Sequence, residues 1–256
     1  MNTKAWSALT IAIGTLASLL MFTWPLFISA SNTDQAEFAQ ATFIALMPAL
    51  LVALLIEFSS GKLDSRRLAM LGLLIALNAV IRLLGAGVSG IETVFFLIIL
   101  GAFVFGAGFG FLLGSGSLLI SALLGAGVGP WLPFQMMAAG LVGVGAGLLG
   151  LAAGRRTLER TVLSAYAVVA SFVYGALMTM WSWPFLAGTG SSLSFVPGSA
   201  IADNLQAFIR YEVFTGGLIW DLGRAVTTVV LIALTGKTLL ATLRRAANKV
   251  EFFPLD

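Results

Sequence analysis

Long uncharged apolar stretches alternate with short charged clusters along this chain. A helix that crosses a bilayer needs about 20 mainly apolar residues, and each stretch can be measured against that length. Ala5 to Thr33 carries no charge and predicts one span over 7–30. Phe38 to Ile56 predicts a second, closed by Glu57. Leu68 to Ile81 predicts a third, bracketed by Arg67 and Arg82. Thr93 to Gly154 is uncharged throughout and long enough for three helices. Its breaks are expected at Gly106–Gly110 and Gly125–Pro133, where Gly and Pro interrupt helix continuity. Thr161 to Leu186 predicts a seventh span, and Tyr211 to Leu240 an eighth that contains Asp221 and Arg224.

Composition supports that reading. Of 256 residues, 59% are hydrophobic and 10% charged, with a mean hydropathy of +1.02. A soluble domain carries about 25% charged residues, and this chain lacks the polar groups to cover a water-facing surface. The expected fold is an all-α integral membrane protein with about eight transmembrane helices. The net charge of +3 does not point to nucleic acid, because most basic residues lie between spans. With the N-terminus inside, the inner segments hold every Lys and Arg except Arg82, Arg210 and Arg224. The positive-inside rule then predicts a multi-pass protein with both termini cytoplasmic. Ile28-Ser29-Ala30 resembles a signal-peptidase site. The apolar run before it exceeds the usual length of about 7–15 residues, which favours an uncleaved helix.

Cys and His are both absent. Their absence excludes thiol catalysis, disulfides and iron–sulfur clusters, and removes the commonest general base and metal ligand. Neither a metal site nor a cofactor is expected. Gly236-Lys237-Thr238 ends like a Walker A motif, but its first glycine would fall at Leu231, so the motif fails. Small residues at spacing four, Gly106/Gly110/Gly114, Gly143/Gly147 and Gly150/Gly154, predict close helix packing. Trp24, Trp131, Trp181, Trp183 and Trp220 fall near outer ends of spans. An interfacial belt and the wall of a ligand pocket both fit them.

Ionisable side chains at membrane depth usually face a bundle interior or a wet cavity. Arg82 closes the third span, Glu92 opens the fourth, and Asn78 lies one turn before Arg82. Asp221 and Arg224 share a helix face at spacing three. Gln135 follows the Pro130-Trp131-Leu132-Pro133 turn. The candidate substrate-binding set is therefore Asn78, Arg82, Glu92, Trp131, Gln135, Asp221 and Arg224, all in the outer half. No residue is assigned a catalytic role. The Gly/Ser-rich segment 187–204 reads as an unstructured loop, either a lid or a plain connector.

Residues 82–150 also carry a family resemblance. In order they read Arg82-Leu-Leu-Gly-Ala-Gly-Val-Ser-Gly90, Glu92-Thr-Val-Phe-Phe-Leu-Ile-Ile-Leu100 and Phe105-Gly-Ala-Gly-Phe-Gly-Phe-Leu-Leu-Gly114. Ser121-Ala-Leu-Leu-Gly-Ala and then Gly127-Val-Gly-Pro-Trp-Leu-Pro-Phe-Gln-Met136 follow. This resembles the substrate-binding S component of energy-coupling factor (ECF) transporters, in a form typical of actinobacteria and closest to the cobalamin branch. The resemblance covers about 68–250 and implies a six-helix core over 61–256, with residues 1–60 as an added pair of helices. It also implies a bacterial cell-membrane importer that takes a vitamin from outside. A transmembrane T component and two ATPase subunits would drive its release inward. The family's Ala-x-x-x-Ala contact with the T component maps onto Gly72-Leu-Leu-Ile-Ala76, with Ala69 one turn earlier.

Two other classes stay open at this point. A non-transport scaffold would use the Gly-rich helices to organise a membrane complex. A membrane enzyme would need paired carboxylates, for which Asp221 and Glu92 are the candidates. Within the transport reading, riboflavin or another aromatic vitamin is the alternative to a corrinoid.

Overall fold

The computed structural model describes residues 19–26, 65–85, 91–152, 158–188, 190–215 and 217–251, with Ala41 and Ala45. The expected spans 7–30 and 38–56, and with them the proposed 1–60 segment, lie outside these residues except at those few positions. All regular structure among the described residues is helical. In chain order the helices are α1 (Ser65–Gly85), α2 (Val94–Phe105), α3 (Ala107–Ser121), α4 (Leu132–Ala152), α5 (Glu159–Leu186), α6 (Ile201–Phe214) and α7 (Gly217–Glu251). A π turn, Ala122–Ala126, extends α3.

The helix breaks fall where the sequence placed them. Gly106 separates α2 from α3 at φ 96°, and Gly127 leaves the π turn at φ 92°. Side chains with a Cβ rarely adopt that conformation. Ala107–Ala126, Leu132–Leu151, Glu159–Leu186 and Gly217–Asn248 are each long and apolar enough to cross a membrane.

Three expectations need correction. The fourth span is only the 12 residues of α2, about 18 Å at 1.5 Å per residue. Ten of those residues are buried, so α2 is a central helix sheathed by its neighbours. The eighth span does not start at Tyr211. That residue belongs to α6, and α7 begins afresh at Gly217. Segment 187–204 is not all loop, because Asp203 and Asn204 already lie in the first turn of α6.

The distribution of side chains is inverted relative to a soluble protein. Asn78, Ser115, Ser117, Ser121, Ser171, Asp221, Arg224 and Thr228 are buried, while Leu73, Val169, Ile219, Leu222 and Leu234 are more than half exposed. An apolar exterior suits a lipid surrounding, and the polar groups turn inward.

The chain forms two compact units. One comprises Met1–Gln40 with Ala176–Gly217, the other Ala41–Gly175 with Leu218–Asp256. In the larger unit, α3 and α4 run antiparallel along a glycine seam. The space beside Gly110 is filled by the Gly143 backbone, that beside Gly114 by Ala139, and that beside Gly147 by Ala107. Backbones approach this closely only where side chains are missing. α1 runs parallel to α3, since Asn78 meets Ser117 and Arg82 meets Ser121. α2 runs parallel to α7, since Arg224 lies over Phe95 and Arg244 over Phe103. α5 is antiparallel to α7, since Ser171 meets Arg224 and Glu159 meets Arg244. These contacts bring the C-terminal ends of α1 and α3, the N-terminal ends of α2 and α7 and the middle of α5 near Arg82, Glu92, Asp221 and Arg224.

The smaller unit is built on aromatic packing. Trp183, Phe195, Phe208 and Met180 form its buried centre. Trp24 packs near Phe185 and Phe195 and donates its indole N–H to the Trp181 carbonyl at 3.3 Å.

Candidate substrate-binding site

Asn78 and Arg82 are one turn apart on α1, and Ser117 and Ser121 are one turn apart on α3. Equal spacing on parallel helices makes two rungs. Asn78 Nδ2 donates to Ser117 Oγ at 3.0 Å and to the Val94 carbonyl at 3.1 Å. Arg82 Nη1 donates to Ser121 Oγ at 2.9 Å, and its Nε faces Glu92 Oε1 at 3.5 Å. Thr93 Oγ1 ties the start of α2 to the Ile81 carbonyl at 2.9 Å, which places Glu92 beside Arg82.

The second pair lies between α5 and α7. Arg224 Nη1 donates to Asp221 Oδ1 at 2.6 Å and to the Ser171 carbonyl at 3.2 Å. Its guanidinium stands 4.8 Å from the Tyr174 ring centroid and 5.6 Å from that of Phe95. The two rings meet edge to face at 4.9 Å. Stacking of this kind suits a planar cation taken out of water. The Asp221 carboxylate fills the space beside Gly175.

The two pairs are Arg82 with Glu92 and Arg224 with Asp221. Each positive charge is matched by a negative one. Of the two carboxylates named for a membrane enzyme, Glu92 faces Arg82 and Asp221 faces Arg224. Asn78 Oδ1, Ser171 Oγ, Thr228 Oγ1 and Arg224 Nε are buried and find no hydrogen-bond partner among the described residues. A buried polar atom without a partner is costly.

The other expected residues stand apart from this cluster. Trp131 is 42% exposed and covers Gly129. Gln135 is half-buried one turn into α4. The π turn leads from Ser121 toward both, but no hydrogen bond or ion pair among the described residues joins either to the four charges. Trp24, Trp181 and Trp183 are each buried in the smaller unit. Ala69, Gly72 and Ala76 lie on an exposed face of α1, and nothing stands within 4 Å of where a Gly72 side chain would be.

Ser117, Ser121, Ser171, Tyr174 and Gly175 were missed as site residues. The Ser pair was readable as a small polar row at spacing four on an otherwise apolar helix. Tyr174 and Gly175 carry no local signal, since only the α5–α7 contact gives them a role. At the opposite end, Arg244 makes two bonds of 2.6 and 3.0 Å to Glu159.

A family model described as ECF transporter, substrate-specific component, matches residues 66–243. The chain belongs to that family. It is a membrane-spanning, substrate-specific transport component, and the family implies association with T and ATPase subunits. The match opens in the first turn of α1 and closes within α7, so it takes in both ion pairs and the glycine seam. No curated protein and no solved structure matches the chain.

Proposed function

We propose that this S component imports a vitamin, with cobalamin or a related corrinoid favoured, using the Arg82–Glu92 and Asp221–Arg224 end of the larger unit as its binding site. The observation that carries this reading is the two arginine–carboxylate pairs, Arg82–Glu92 at 3.5 Å and Asp221–Arg224 at 2.6 Å, beside buried polar atoms with no hydrogen-bond partner among the described residues. Such a site offers hydrogen bonds and an aromatic surface with no net charge, which suits a large neutral ligand rich in amides. With no His in the chain, cobalt ligation by an imidazole plays no part. Asn78, Trp131 and Gln135 complete the proposed set.

The Arg82 end faces outward in this reading, and both termini are cytoplasmic in a bacterial cell membrane. Arg66 and Arg67 at the start of α1, Arg160 at the start of α5, and Lys237, Arg244 and Arg245 in α7 lie toward the opposite ends of their helices. This placement follows the positive-inside rule. A T component and two ATPase subunits drive release inward, and Ala69, Gly72 and Ala76 form the flat face that meets the T component.

A smaller flat vitamin such as riboflavin is the second reading. The burial of Trp24, Trp181 and Trp183 favours it, because it withdraws three large rings from any wide pocket wall. Co-expression with the T and ATPase subunits in a cobalamin auxotroph that lacks its own importer separates the two. ATP-dependent uptake of labelled cobalamin supports the first reading, and uptake of labelled riboflavin alone supports the second.

A further inference from the structure

Helix α6 has three faces where a soluble amphipathic helix has two. Asn204, Phe208 and Glu212 are buried at spacing four, and Phe208 packs in the aromatic cluster of the smaller unit. Beside that face runs a second apolar row at the same spacing. Ile201, Leu205, Ile209 and Val213 are 51, 40, 54 and 47% exposed. Asp203, Gln206 and Arg210 form the third, polar face, and all are exposed. The packing of the smaller unit accounts for the first face and water for the third, but neither accounts for the second.

We propose that the Ile201–Leu205–Ile209–Val213 row lies in the surface of the lipid bilayer, making α6 an interfacial helix parallel to the membrane. Its 14 residues extend about 21 Å, too short for a hydrocarbon core of about 30 Å. A membrane-spanning course is therefore closed to it, whereas a surface course matches an apolar stripe bounded by a narrow polar one. Continuity supports lipid as the occupant. Within the same compact unit, the preceding α5 ends on Leu186, itself 68% exposed.

The consequence reaches the loop before α6. Asn204 clamps it with two bonds, accepting from the Val196 N–H at 3.0 Å and donating to the Val196 carbonyl at 2.9 Å. Trp183 holds its middle by donating to the Leu193 carbonyl at 2.8 Å. A helix seated in the interface thus fixes one end of segment 187–200 at membrane level.

The absence of Cys makes single-site labelling clean. Leu205→Cys, Ile209→Cys, Gln206→Cys and Arg210→Cys change exposed positions only. Each full-length variant would carry a nitroxide and sit in phosphatidylethanolamine/phosphatidylglycerol vesicles. Collision with oxygen and with a water-soluble nickel chelate then reports depth. Labels at 205 and 209 are expected about 5–10 Å below the headgroup boundary, and labels at 206 and 210 at or above it. Equal nickel access at all four positions overturns the proposal in favour of a water-exposed helix. Exclusion of both quenchers at 205 and 209 overturns it in favour of a protein partner on the row.

Discussion

The Asp221 carboxylate occupies the space where a side chain at Gly175 would stand. The pair Asp221–Arg224 at 2.6 Å therefore depends on a residue on another helix that has no functional group at all. Gly175 acts by absence, letting a charged group on α7 settle against the α5 backbone.

Gly175→Ala is expected to push the carboxylate out of place and lower the melting temperature in detergent. Overpacking alone costs about 1–3 kcal/mol. Gly72→Ala is the matched control, because nothing stands near that position, and its melting temperature is expected to stay unchanged. Equal melting of Gly175→Ala and the parent protein would contradict the packing described here.

The Asp221–Arg224 pair separates stability from binding. Removing one partner of a buried pair costs about 3–5 kcal/mol, whereas replacing both with apolar residues of similar volume is often neutral. Arg224→Met alone is expected to destabilise strongly. Asp221→Leu with Arg224→Met is expected to recover most of the melting temperature but not substrate binding. Recovery of binding in the double variant, read by equilibrium dialysis, would make the pair purely structural.

The glycine seam makes a third prediction. At Gly143 an added side chain meets the Gly110 backbone, which cannot rotate away. Gly143→Leu is expected to abolish folded protein on size-exclusion chromatography, and Gly143→Ala to reduce its yield and melting temperature. A Gly143→Leu variant that stays monodisperse with the parent's melting temperature would refute the close α3–α4 approach.

Much of this fold was readable because lipid imposes a simple length rule. Uncharged runs located α3, α4, α5 and the body of α7, and Gly106 and Gly127 marked real breaks. α2 was misjudged because a buried central helix is as apolar as a spanning one but need not reach across. α6 was hidden because its lipid-directed row and its buried row merge into a run that reads as loop and then span. For the site, the i,i+3 spacing of Asp221 and Arg224 was enough to place their contact. The Arg82–Glu92 pair and the stacking of Arg224 on Tyr174 arise only from packing between helices. The Trp residues stayed open to two readings because their number and position in the sequence do not say whether a partner ring covers them.

Ala76→Leu tests the proposed partner face. Ala76 is exposed, so the larger side chain should leave folding and substrate binding intact. Co-purification with a tagged T component is expected to fall at least about tenfold, corresponding to about 1.4 kcal/mol of lost association. Full recovery of the complex would move the partner surface away from Ala69, Gly72 and Ala76.

The central claim is that the four paired charges bind a vitamin. Native mass spectrometry of the purified full chain, released from detergent beside an Arg82→Ala variant of verified fold, tests it most directly. The predicted result is a stoichiometric added mass on the parent protein that dissociates as a corrinoid and is lost in the variant. A parent protein that carries no vitamin, even after incubation with excess cobalamin or riboflavin, would contradict it.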